Sequence, residues 1–284
     1  MQNVFRTTFL ACASTAVIGF ASSSAMAQSF PDFTVNESAI AGTLANTFTA
    51  DKVTGNYVEV ITFNGTTTSG TFDVSLRWNA GQFVGANGTS PVNSQLGGIA
   101  GSGYGLYALY TAQGSFNTTS TGTTFNFTPG GVLNLFADPD SNTTFNQPTT
   151  GRSPFTTGNS SDDILLANGM PTSGEGNLNP SLSTCSSGPA MSGINCGSFG
   201  TSSSFALTTV GRSYFTAPTP FYNVSFQSGQ LNNFSPTGTQ VINGSLDVIF
   251  NGTAVPEPGI VALFGLGLLG LAASRRKAAN SKNA

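Results

Sequence analysis

Any chemistry in this chain must come from carboxylates, because its 284 residues include no histidine. That rules out Ser-His-Asp and Cys-His nucleophile systems and every histidine-based metal centre. The acids that could act together are Asp138 and Asp140, with Asn142 two positions on, and then Asp162 and Asp163. Asp138, Asp140 and Asn142 offer hard oxygens at alternate positions, a donor type suited to calcium, which takes roughly six to eight of them. Counted from Asp138, Thr143 and Thr149 stand where an EF-hand needs Gly and Glu, so this is not that motif. Ordinary turn acids are the favoured reading, and a folded-loop calcium site is the alternative. For glycoside hydrolysis, Asp138 with Asp140 or Asp162 with Asp163 could be recruited, yet such a pair normally faces across a cleft from separate strands. Asp138-Pro139-Asp140 also reads as a turn, and Ser161 or Asp162 as the cap of a short helix. The expectation is a protein with no catalytic residue and no cofactor, with a structural calcium at Asp138, Asp140 and Asn142 as the minority option.

Both ends of the chain read as addresses. Arg6, the apolar stretch Phe9 to Phe20 and the small-x-small site Ala25-Met26-Ala27 form a secretory signal peptide, so the mature chain should begin at Gln28. At the other end stand Val255-Pro256-Glu257-Pro258, an uncharged run from Gly259 to Ala273, and the basic stop Arg275-Arg276-Lys277. Two prolines stiffen the first part and remove two amide donors, which keeps it out of sheets and helix interiors. As a helix the apolar run spans about 22 Å, against a hydrocarbon core of about 30 Å, a marginal anchor. The basic triplet predicts a cytoplasmic C-terminus; a plain tail anchor or a buried helix is the bland alternative.

These last thirty residues resemble the PEP-CTERM sorting signal of Gram-negative bacteria. The resemblance implies recognition by an exosortase after export through the Sec machinery. It also implies transient anchoring in the inner membrane, cleavage near the Pro-Glu-Pro motif, and delivery to the cell surface or extracellular matrix. The chain then divides into a signal peptide (1–27), a secreted ectodomain (28–254) and a sorting signal with a short transmembrane helix (255–284).

Between the addresses lies an acidic domain. Lys52, Arg77, Arg152 and Arg212 face eleven carboxylates up to Pro256, a net charge of −7, with no basic patch for nucleic acid or anionic lipid. Frequent aromatics in alternating runs supply a core that a disordered chain lacks. Cys185 and Cys196, the two thiols left after the signal peptide, predict a disulfide closing a Ser/Gly-rich loop, worth about 2–3 kcal/mol. Eleven Asn-x-Ser/Thr sequons make glycosylation a hypothesis, though a chain this rich in Asn, Ser and Thr generates many by chance.

Strand patterning dominates. Tyr57 to Phe63 and the alternating Phe72, Val74, Leu76 and Trp78 predict a hairpin turning near Asn64-Gly65. Tyr104, Leu106, Ala108 and Tyr110 share one strand face. Phe125 to Phe127 and Val132 to Ala137 flank a turn at Pro129-Gly130-Gly131, and Ser204 to Val210, Phe221 to Phe226 and Ser245 to Phe250 are further strands. The fold class is all-β, a β-sandwich or jelly-roll-like ectodomain. Asp138 to Gly200 reads as a long irregular excursion with one short helix near Asp162 to Ala167. Tyr104, Tyr107 and Tyr110 could be saccharide platforms, but a shared strand face favours the core.

A longer resemblance joins these strands. Phe30 to Asn36, Ala50 to Val60 and Val241 to Val248 look like the flocculation-associated PEP-CTERM protein family. It implies a non-enzymatic matrix protein that promotes cell aggregation with exopolysaccharide, in biofilm or floc. A calcium-dependent carbohydrate-binding protein and a carboxylate-based glycoside hydrolase are the alternatives.

Overall fold

Tyr57 faces Trp78 and Phe63 faces Phe72 across one long hairpin, β3 (Lys52–Gly65) and β4 (Ser69–Gly85). The computed structural model describes residues 30–97, 103–182, 185 and 195–251; the signal peptide and the sorting signal lie outside them. Ahead of the hairpin come β1 (Phe33–Asn36), a 3₁₀ turn at Glu37–Ala39 and β2 (Thr47–Ala50). After it follow β5 (Ser90–Pro91), β6 (Gly105–Thr119), β7 (Gly122–Asp138), β8 (Thr144–Asn146), β9 (Thr156–Gly158) and β10 (Ile164–Gly169). Next are β11 (Pro171–Leu178), β12 (Gly197–Ser203), β13 (Ala206–Leu207) and one helix, α1 (Thr209–Tyr214). The last strands are β14 (Phe215–Ala217), β15 (Asn223–Ser228) and β16 (Thr239–Asn251).

Eight of these strands close on themselves. The order β3-β4-β6-β7-β11-β12-β15-β16 returns from β16 to β3, and each of its neighbouring pairs is antiparallel. The all-β reading holds, and its architecture is an up-and-down barrel. Phe72, Val74, Leu76 and Trp78 point into the lumen with Leu246, Val248 and Phe250, all buried. Their neighbours Asp73 and Arg77 on β4, and Asn243 and Asp247 on β16, point outward. Apolar inside and polar outside is the reverse of the alternation a membrane-spanning barrel requires. Among the described residues no helix is long and apolar enough to cross a membrane.

Three local readings change. Pro129-Gly130-Gly131 is a break within the continuous strand β7: its first half pairs with β11, closing the barrel, and its second half pairs with β10. Gly131 has φ +96°, and a Cβ there would lie 2.1 Å from the Thr111 carbonyl oxygen, so only glycine fits this bend. The segment 138–200 is not irregular throughout. It supplies β11 and β12, and Ile164 to Gly169 form a strand where a helix was expected, because Ala137 and Phe136 offer a ladder to Ile164 and Leu165. Ser204 to Val210 does not extend as one strand; the Thr208 hydroxyl accepts from Gly211 N at 3.0 Å and starts α1.

The remaining elements plug and strap the barrel. β1, held between β14 and β2, sends Phe33 onto Phe250 with ring centroids 4.8 Å apart, and Phe83 and Phe215 pack on the same ring. Part of the excursion crosses the outside of the hairpin. There Gly151 N donates to Thr62 Oγ1 at 2.9 Å, and Arg152 donates to Asp73 at 3.0 Å and to Asn64 at 2.6 Å.

Among the described residues the lumen holds one charge-bearing group. Glu59 is 5% exposed and sits among Phe72, Phe125, Phe127, Phe199 and Phe226, between cavities of ≈ 20 Å³ and ≈ 10 Å³. The larger has room for about one water, so the barrel is a packed core and not a ligand-holding cup. The hydroxyls of Tyr57, Tyr110, Thr201 and Ser203 are buried without hydrogen-bond partners among the described residues. No cation faces Glu59 from the lining residues, and burial pushes its carboxyl from 4.5 up to about 8. Between those values the folded protein binds more protons than the unfolded chain, so stability falls as pH rises and levels off above about 8. The loss is about 5 kcal/mol, or roughly 10–20 °C in Tm. Melting curves from pH 5 to 8.5 should show that decline, and Glu59→Gln should flatten most of it; an unchanged slope in the variant would place the titrating group elsewhere.

Candidate functional site

Three carboxylates converge where β7 ends. Asp138 is its last residue, and Asp162 and Asp163 immediately precede β10, whose Ile164 pairs with Ala137. One oxygen from each lies within 4.8 Å of the others, with Asp138 buried and the other two half-buried. Asp138 accepts backbone N–H bonds from Asn142 at 3.2 Å and from Thr143 at 2.9 Å. Asp163 accepts from the Thr143 hydroxyl at 2.8 Å and from the Tyr107 hydroxyl. Asp162 Oδ2 is buried with no hydrogen-bond partner among the described residues.

Electrostatics follow from this crowding. Burial lifts the Asp163 carboxyl above the usual carboxylate range; Tyr107 and Thr143 draw it back, and the charges on Asp138 and Asp162 push it up again. The Tyr107 phenol rises for the same first reason, burial, and then through its bond to Asp163.

Asp138 is the one predicted ligand that enters the cluster. Asp140 is exposed on the turn that follows β7, where Ser141 N closes onto the Asp138 carbonyl at 3.3 Å and Ser141 adopts φ +52°. Asn142 is exposed and donates its backbone N–H to Asp138, a bond that ties the turn. Alternate spacing puts oxygens on one side only in an extended chain, and here the chain turns. The partners that do arrive, Asp162 and Asp163, come from the neighbouring ladder. An all-oxygen set of three acids and the Thr143 hydroxyl has the chemistry of a hard-cation site. As a glycosidase pair it fits poorly, since two of the three acids, Asp138 and Asp163, are engaged by structural donors.

The tyrosines are not saccharide platforms. Tyr104, Tyr107 and Tyr110 are all buried. Tyr104 shares a 2.5 Å hydroxyl contact with Tyr214 of α1 and donates to Glu37 at 3.1 Å. Glu37, fully buried, also accepts from Asn46 at 2.7 Å and from Gln95 at 2.8 and 3.1 Å. That carboxylate pins the plug to the barrel, a role that no local pattern around it signals. Cys185 is bonded to Cys196, with Cα atoms 4.4 Å apart, next to the start of β12.

The remaining predicted sites, Ala25 and Ala27, Val255 to Pro258, and Arg275 to Lys277, lie outside the described residues. Here comparison with known proteins bears directly. Neither the curated proteins nor the solved structures yield a match to this chain. The family model for the PEP-CTERM protein-sorting motif matches residues 254–277, spanning the Pro-Glu-Pro segment, the apolar run and the basic stop. The chain therefore carries a PEP-CTERM protein-sorting motif, which marks it for export and for exosortase-mediated sorting to the cell surface.

Proposed function

We propose that this is a non-enzymatic surface or matrix protein that promotes cell aggregation together with exopolysaccharide, released from its anchor by cleavage near Pro256 to Pro258. The observation that carries this reading is the sorting motif, which begins three positions after the last barrel residue, Asn251. A closed, polar-faced barrel is joined directly to this address. The lumen is filled, no histidine is present, and two of the three converging acids, Asp138 and Asp163, serve as structural acceptors, all of which support a role in contact and not in turnover. Barrel closure also limits one adhesive route. Free strand edges are confined to short elements such as β2, β13 and β14, so association by edge pairing has little template, and contact through the outer face is favoured.

A second reading, a calcium-dependent carbohydrate-binding protein, draws on the Asp138, Asp162 and Asp163 cluster. Calcium at millimolar concentration should raise Tm by about 5 °C or more, and Asp162→Asn should abolish that rise. No calcium response in the unaltered protein would leave these acids as loop tethers and remove the second reading.

The main proposal is tested in the producing cells. Deleting the gene should abolish or sharply reduce aggregation. The full chain should restore it, as should variants carrying Asp138→Asn or Asp163→Asn, which a hydrolase would not tolerate. Normal aggregation in the deletion strain would overturn the proposal.

A further inference from the structure

The outer face of the barrel carries a groove at its closing seam, with a volume of ≈ 390 Å³. It straddles β11, with β7 on one side and β12 on the other. Cross-strand register sets Thr124, Asn177 and Ser198 in one row, and Asn126, Glu175 and Gly200 in the next. The lining thus offers two amides, two hydroxyls and one carboxylate, with no cation among its residues. Gly200 keeps it open: a Cβ there would meet Gln227 Cγ at 3.8 Å and nothing closer. The Thr124 hydroxyl donates to the Asn117 carbonyl at 3.3 Å, and the rest of the hydrogen-bonding capacity is lightly used. Asn177 reaches Ser198 Oγ at a long 3.4 Å, and the side chains of Asn126 and Glu175 form no hydrogen bond among the described residues.

We propose that this groove binds a neutral, polyhydroxylated ligand, a segment of a glycan chain. Each amide presents a donor and an acceptor side by side, the pattern that adjacent sugar hydroxyls answer. Glu175 accepts from two hydroxyls of a neutral sugar but repels phosphate, sulfate or uronate, and no lysine or arginine offsets it. The volume falls within the range of small-ligand sites, roughly 300–1,000 Å³. A single carboxylate cannot supply the acid and base pair of a glycosidase, so the groove is built to hold and not to cut. The inference rests on the matrix reading above and adds to it the ligand class and the place of contact.

Affinity electrophoresis of the protein purified from its cells tests it, using gels that contain hydroxyethylcellulose, polygalacturonate or the cells' own exopolysaccharide. The unaltered protein should be retarded by a neutral polysaccharide and not by polygalacturonate. Gly200→Gln, which fills the groove without a backbone clash, should weaken binding about tenfold or more while Tm stays the same. Glu175→Lys, a change at an exposed side chain, should shift preference toward polygalacturonate. Equal retardation of the unaltered protein and both variants would overturn the groove and leave the matrix reading standing. Preference of the unaltered protein for polygalacturonate, or no retardation in any gel, would overturn the ligand class or the site itself; the aggregation phenotype tests the matrix reading separately.

Discussion

Barrel closure rests on the ladder between β7 and β11, where Thr123 to Phe127 meet Leu178 to Gly174. Without it the strand order is an open sheet with two long edges, and the aromatic lumen loses one wall. The ladder forms because β7 can serve two partners, and it can do so because Pro129, Gly130 and Gly131 let the strand bend. Gly130 and Gly131 both adopt positive φ, +127° and +96°, and the opposite strand breaks register between Thr111 and Gln113 at the same level. A bulge thus converts one strand into two differently aimed halves. One half seals the barrel. The other carries Asp138 out to β10 and the acid cluster.

Closure also explains the composition. Phe63, Phe72, Phe116 and Phe125 crowd one end of the lumen, and Tyr57, Trp78, Phe199 and Phe226 the middle. Rings from several staves leave no room for side chains on the others, so β11 faces inward with Gly174 and Gly176, and β12 with Thr201 and Ser203. At Gly176 a Cβ would already sit 3.1 Å from Phe199. Trp78 of β4 donates over the intervening strand β3 to the Leu246 carbonyl of β16 at 2.9 Å, and Gly55 gives it passage. Glu59 lies in this apolar interior at a cost that grows as its carboxyl ionises.

That same packing decided what the sequence made legible. Where large inward residues alternate with polar ones, as in Phe72 to Trp78 or Leu246 to Phe250, period two is plain and the strands were readable. On β11 and β12 most inward positions are small, Leu178 and Phe199 being the exceptions, so little alternation marks them and the segment resembles loop. Ile164 to Ala167 is a short apolar run that periodicity alone cannot assign, and only the ladder with β7 makes it a strand. The acid cluster was half legible: Asp138 stood out, but its true partners depend on a pairing between segments about twenty-five residues apart, which no local spacing encodes. The outer groove was invisible for a related reason, since Thr124, Asn177 and Ser198 meet only through register.

The sorting motif ties fold to destination. The last stave, β16, ends at Asn251 and Pro256 follows five positions later, a reach of at most about 18 Å for extended chain. On the proposed release by cleavage near Pro256 to Pro258, the folded barrel stays close to the site of processing until it is cut free. Mass spectrometry of the protein from cells and from culture medium tests this account most directly. A medium species that begins at Gln28, ends near Pro258, lacks the apolar tail and carries the Cys185–Cys196 bond is the predicted result. An intact C-terminus found only in the membrane fraction would contradict it.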